Sequence, residues 1–367
     1  MGRLVRVCIV LVTTFASGLA WGDTAPTGFD ETHAKVKSVM ALQHEITADL
    51  MMVPDVLGTA VGLSESGEPA LVVYVDQGGK NMSDVVHALP PQLRGVAVRA
   101  HQTDKFHAFK GRPGGGGGVS HIAKQTPPIQ LGTSGGWRND LANGYCCGGT
   151  LGSLIQVNSV QYILSNYHVF EADIVPGGNG IVAQTGDNII QPGLIDVNCS
   201  ASGAQNVGTL VKVSSLPSSN VDCSVAQVIP GMVSTNGSIL EIGTLSAQTV
   251  AAFLNQAVKK SGRTTGLTRS TISGLNATIS VAYDNECAGG TAFTKTFTGQ
   301  IVIANSGSGF LNSGDSGSLM VEDIATNPRA VGLLYAGSST SAIANPIGQV
   351  LTFLGGKLGG TATMVGN

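Results

Sequence analysis

The chain has 367 residues, 51 of them glycine, with 12% charged residues and a formal net charge of −3. That length allows two domains, or one large domain with an extension. The charge balance holds no basic stripe and argues against nucleic acid as a partner, while the Gly-rich, β-branched composition favours many short strands over long surface helices.

Residues 1–22 read as an export signal. Met1 to Arg6 carries two arginines, Val7 to Ala20 is apolar, and Ala20-Trp21-Gly22 offers small residues for cleavage. The apolar run is shorter than the ~20 residues a membrane span needs, so a secreted or periplasmic protein is expected. Residues 23–110 read as a small α+β domain. Asp30 to Met52 has apolar residues at helical spacing, Val56–Leu63 and Ala70–Val75 form a hairpin pattern, Ser83 caps a short helix, and Val96–Ala100 is a further strand. Its histidines His33, His44, His87, His101 and His107 have no metal spacing.

Residues 111–135 contain five consecutive glycines, Gly114 to Gly118, and the pair Pro127-Pro128, and read as a linker. From Gly136 onward strand patterns dominate: 149–157, 161–169, 207–213, 221–229, 271–281, 296–304 and 330–334, with one helix expected over Pro346–Leu354. Residues 136–367 are therefore expected to be an all-β barrel or sandwich. Cys8 falls in the signal, and five cysteines remain. An oxidising compartment permits disulfides, but an odd number leaves at least one thiol free or paired between chains. Cys146-Cys147 lacks CxxC spacing and the only histidine beyond residue 121 is His168, so no zinc site, and no cofactor, is called for. Cys223, in the apolar-rich run Val221 to Ile229, reads as a buried structural cysteine.

The chemistry gathers on three strings. Asn312 to Ser318 encloses Gly314-Asp315-Ser316-Gly317 between two strands; a serine hydroxyl becomes a nucleophile once a base takes its proton. The amides of Gly314 and Ser316 are candidate oxyanion donors. His168 is the one histidine of the β-rich region and closes the apolar stretch from Tyr162 to Val169, while Asp222 is a lone charge at the mouth of an apolar strand, suited to orienting an imidazole. An α/β-hydrolase is excluded, since Ser318 stands where the second glycine of Gly-x-Ser-x-Gly belongs and no histidine follows Ser316. A subtilisin-like order through Asp140 would need helices that the pattern lacks.

Leu164-Ser165-Asn166-Tyr167-His168-Val169, Asn220 to Ala226 and Gly314-Asp315-Ser316-Gly317 resemble the three motifs of the trypsin/chymotrypsin superfamily, particularly its bacterial secreted members. The order is the same, and the separations of 54 and 94 residues are of that superfamily's size. Lys260 to Gly266 and Val331 to Gly337 resemble two further segments of it. The resemblance spans residues 136–367 and implies a chymotrypsin-like double six-stranded antiparallel β-barrel, preceded by the α+β domain. It implies a serine endopeptidase acting on protein or peptide substrates, with His168, Asp222 and Ser316 catalytic. Phe310 would be the pocket floor, and Tyr335, Ala336 and Gly337 its wall, for a mid-sized apolar side chain.

Two departures carry weight. Ser318 replaces a glycine, and no Ile-Val-Gly-Gly string supplies a free ammonium for Asp315, so an internal cation is expected, Arg138 or Arg263. The rival readings are a catalytically silent binding protein on the same fold and a quality-control protease of the HtrA type without a PDZ domain. The N-terminal domain is expected to act in cis on the protease domain, as folding aid, inhibitor or substrate recruiter.

Overall fold

A computed structural model of the chain describes residues 28–108, 119–142, 145–171, 181–283 and 292–367. The expected export signal, Gly114 to Gly118, Cys8 and Cys287 lie outside them. No described helix is long and apolar enough to cross a membrane.

The N-terminal part folds as helix α1 (Ala34–Met51), strands β1 (Val56–Leu63) and β2 (Pro69–Asp76), helix α2 (Met82–Ala88), and strands β3 (Gln92–Leu93), β4 (Val96–Thr103) and β5 (Phe106–Ala108). The first helix begins four residues later than its apolar spacing implies. Asp30 instead binds the Thr32 and His33 amides through its own carboxylate, at 2.8 and 3.1 Å, holding the chain in a turn. The hairpin β1–β2 forms as expected, with Val56 opposite Val75 and Leu63 opposite Pro69. It is buried on both faces: Val61, Leu71 and Val73 pack under α1, and Ala60, Val72 and Tyr74 face the rest of the molecule. Two-sided burial explains why both strands are near-continuous apolar runs.

Next come β6 (Thr133–Trp137), the short pair β7 (Leu141–Ala142) and β8 (Tyr145–Cys146), β9 (Gly149–Leu151), β10 (Ser153–Val157), β11 (Val160–Ser165), helix α3 (Tyr167–Phe170), β12 (Asn188–Gln191), β13 (Gln205–Val211) and β14 (Ser224–Val228). Strands β9 and β10 are one strand interrupted at Gly152. With that continuity, β6, β9–β10, β11, β14, β13 and β12 close a six-stranded barrel, since β12 pairs back onto β6. The second half supplies β15 (Ala257–Gly262), β16 (Gly266–Tyr283), β17 (Phe293–Ala304), β18 (Leu319–Glu322), β19 (Ala330–Gly337), β20 (Ser341–Pro346), helix α4 (Ile347–Leu358) and β21 (Thr363–Met364). Here β15, β18, β19, β20, β17 and β16 form a second barrel, closed by β15 on β16. The all-β, chymotrypsin-like double barrel expected from the sequence is the observed architecture. Closure leaves few free edges.

Two features were not expected. The linker expected over 111–135 is described from 119 onward, and there Ile129 and Leu131 are buried, bridged to Val233 and Ile239, before the chain enters β6. Apolar residues alternating after the proline pair give this stretch a core to join. The N-terminal strands are also not a separate sheet. The 18-residue β16 overruns its barrel, and β1 pairs with the overhang, Gly58 opposite Ile279 and Val61 opposite Leu275. One sheet therefore runs from the second barrel through β16 into β1, β2, β4 and β3. Cys146 and Cys199 form a disulfide, Cys147 is disulfide-bonded too, and Cys223 is a buried free thiol whose ionisation burial pushes well up.

Candidate active site

Asp222 lies just ahead of β14, completely buried. A buried carboxylate is costly unless its lone pairs are used, and here they are. Oδ1 accepts the Tyr167 amide at 2.8 Å, while Oδ2 accepts His168 Nδ1 at 2.6 Å and the Tyr283 hydroxyl at 2.9 Å. Its backbone is clamped as well. The Asp222 amide donates to Asn345 Oδ1 at 2.9 Å, and its carbonyl accepts Asn166 Nδ2 at 2.7 Å. These bonds explain a departure from the strand expected over 161–169. The chain leaves β11 at Ser165 and turns into α3, because Asn166 and Tyr167 are drawn onto Asp222. His168 thus stands on a one-turn helix, 1% exposed, and its Nε2 has no partner among the described residues.

Ser316 follows Gly314 and Asp315 in the turn before β18. Gly314 and Gly317 have φ of +95° and +92°, a region that costs other residues strain. At Gly317 space forbids a side chain too, since a Cβ would fall 2.2 Å from Ser165 Oγ. The turn docks on the first barrel: the Thr150 amide donates to Ser316 O at 2.9 Å, and Thr150 Oγ1 donates to Gly314 O at 3.0 Å. The histidine's helix meets the same spot, for a Cβ on Gly149 would lie 2.6 Å from Val169 Cγ2 and 3.0 Å from Ser316 O. Ser316 Oγ rests on Tyr335 O at 3.3 Å. The Gly314 and Ser316 amides donate to no acceptor among the described residues. Two N–H groups with no acceptor among the described residues, beside a hydroxyl, are the equipment of an oxyanion site.

The cation beneath Asp315 is neither of the arginines expected. Arg138 donates to Asn206 Oδ1, and Arg263 forms a two-pronged pair with Asp196, at 2.8 and 2.6 Å. Lys260 fills the place, its Nζ 3.4 Å from Asp315 Oδ2, with both side chains fully buried. The Thr264 and Thr265 amides, the Thr265 hydroxyl and the Asn312 amide complete the cradle, at 2.7 to 3.1 Å. Burial lowers the Lys260 pKa and Asp315 opposes that fall.

Tyr335, Ala336 and Gly337 line β19 beside Ser316. Phe310 does not join them: its side chain packs in the core of the second barrel, with Leu311, Met320 and Val331, and its carbonyl accepts the Thr268 hydroxyl at 2.8 Å. What meets β19 is the N-terminal strand β5. His107 pairs with Gly337 and Ala108 with Ala336, antiparallel, while Phe106 and His107 pair in parallel with Val281 and Ala282 of β16. Phe106 is 1% exposed and shares a cluster with Tyr167, Tyr283, Phe297 and Tyr335. The approach is pinned by Asp104, which accepts the Ser339 amide at 2.9 Å and its hydroxyl, and by Thr103 on Ser338 at 2.7 Å. Neither Tyr283 nor β5 stood out in the sequence, and Lys260, inside the string Lys260 to Gly266, was passed over as the cation in favour of the arginines.

The Nal1 C-terminal domain family model matches residues 203–345, a span that holds Asp222 and Ser316 but not His168. No match is found among curated proteins. Solved structures similar to the chain include a glutamic acid specific serine protease that utilizes a novel histidine triad in substrate binding. It is 18% identical, with a TM-score of 0.40 over 64% of this chain and 100% of that one. Thermobifida fusca protease A is 18% identical, with a TM-score of 0.39 over 67% and 99%. A Cellulomonas bogoriensis chymotrypsin is 20% identical, with a TM-score of 0.38 over 65% and 99%. At such distances the functional case rests on the site.

Proposed function

We propose that the chain is an exported serine endopeptidase that cleaves peptide bonds through an acyl-enzyme. The observation that carries the reading is the buried His168–Asp222 bond at 2.6 Å, with Nε2 unpartnered among the described residues and the Ser316 turn packed beside α3. In the reaction Ser316 Oγ leaves Tyr335 O, passes its proton to His168 Nε2 and attacks the substrate carbonyl. Asp222 holds the tautomer and stabilises the imidazolium. The Gly314 and Ser316 amides take the oxyanion, His168 then protonates the leaving amine, and water repeats the sequence on the ester. His168 serves first as base and then as acid, and the chemistry draws on no cofactor.

We further propose that the N-terminal unit acts in cis by occupying the edge where a peptide would pair. A strand beside a nucleophile recognises extended peptides by main-chain hydrogen bonds, and β5 already holds Ala336 and Gly337 of that strand. The experiment compares the full chain with its His107→Pro variant, in which proline cannot sit in a strand paired on both sides. A small fluorophosphonate should modify Ser316 in both, about tenfold faster in the variant, and leave Ser316→Ala unmodified. No adduct in either protein, with both melting cooperatively, would overturn the peptidase reading in favour of a silent binding protein. Equal rates would overturn the occupancy of β19 alone.

A further inference from the structure

We propose that Tyr283 is a positioning residue of the reaction, acting through Asp222; the inference rests on the peptidase reading. Tyr283 is the last residue of β16, in the overhang that extends past the barrel. Its ring packs well without the hydroxyl. It stacks on Phe293 at 5.0 Å with a 7° tilt, meets Phe297 at 6.3 Å, and stands edge-on to the His168 imidazole at 6.0 Å. A phenylalanine would satisfy those contacts. The hydroxyl therefore needs its own explanation.

Tyr335 provides an internal control. It belongs to the same apolar cluster, equally buried, yet its phenol oxygen has no partner among the described residues. The Tyr283 hydroxyl instead donates at 2.9 Å to Asp222 Oδ2, the same oxygen that holds His168 Nδ1. Burial first, and the Asp222 charge next, push its ionisation well up, so it remains a donor throughout the working range. Three donors then fix the carboxylate in one plane: Tyr167 N on Oδ1, His168 and Tyr283 on Oδ2. An imidazole aims its far nitrogen by the oxygen its near one is bound to, and an Asp222 free to rotate would swing Nε2 off the serine. Tyr283 removes that freedom. Because β5 pairs with Val281 and Ala282 immediately before it, the same overhang that meets the N-terminal strand also carries this donor.

The test uses Tyr283→Phe, which keeps the ring and deletes one oxygen, in the intact full-length chain and in the His107→Pro chain. Fluorophosphonate inactivation of Ser316 is resolved into its binding constant and its limiting rate. Loss of one hydrogen bond to a charged group is expected to slow the limiting rate by about tenfold with binding unchanged. The same substitution placed on Asp222→Asn should have an effect of less than about twofold, because the coupled partner is already gone. The downfield proton resonance of His168 Nδ1–H should shift or broaden in Tyr283→Phe. A limiting rate and a resonance both unchanged would overturn the positioning role while leaving the peptidase reading intact, as would a change in binding alone. Absence of any Ser316 adduct in the parent chains would overturn the peptidase reading, and the positioning role with it.

Discussion

Lys260 buries an ammonium against a buried carboxylate, and that arrangement tolerates the loss of both charges better than the loss of one. Removing a single partner of a buried pair strands the other, at a cost of about 3–5 kcal/mol. Lys260→Met is expected to destabilise the chain by that amount in urea unfolding, with the turn that carries Ser316 the first region to lose amide protection. Lys260→Met with Asp315→Asn should recover most of the loss; a double variant as unstable as the single one would mean the pair is not the coupling. The His168–Asp222 pairing was legible because the β-rich region holds one histidine and because a lone carboxylate opens an otherwise apolar strand. Lys260 was not. It lies on β15, three residues before Arg263, which stands in the turn after that strand, and one side chain ends under Asp315 and the other on Asp196. Which side faces inward is settled by pairing of β15 with β16 and β18, which no local pattern records.

Strand β5 has three residues, too few for a periodicity, and its place is set by what surrounds it: the overhang of β16 on one side and β19 on the other. The hairpin β1–β2 was readable from its apolar runs, but its continuation into β16 was not, since a glycine run in the sequence looks like a boundary whatever the strands before it pair with. Asp104 anchors the approach to β5, and its titration gives the contact a sign. Burial raises its pKa, but the hydrogen bonds from Ser339, its own backbone amide and the His107 charge together outweigh that and hold it below the usual carboxylate value. A carboxyl whose folded pKa lies below its unfolded one stabilises the fold at pH above the unfolded value, and the contribution is lost as pH falls through the folded value. Asp104→Asn should therefore lower the melting temperature near neutral pH, and the gap to the parent should close in acid, as pH falls through the lowered value of Asp104. A gap independent of pH would assign the effect to packing.

At the scale of the molecule, two closed barrels and the N-terminal strands that extend the second one hold the site from three directions: α3 and Asp222 from the first barrel, Ser316 and β19 from the second, β5 from the N-terminal unit. The barrels were legible as a class from strand spacing and turn residues; their closure by β12 on β6 and β15 on β16 depends on non-local pairing. The first barrel carries a covalent tie, Cys146 to Cys199, across 53 residues of chain. Cross-linking a loop of that size restricts the unfolded chain, a stabilisation of about 4 kcal/mol in the entropic model. Replacing both cysteines with alanine should lower the unfolding free energy by up to that value, and should slow Ser316 modification only under conditions where the first barrel opens. Such a bond persists where no reductant is present, so the parent chain should lose the same increment when this bond alone is reduced. If the double alanine variant unfolds at the same urea concentration as the parent, the Cys146–Cys199 tie does not restrain the unfolded chain, and the first barrel holds without it.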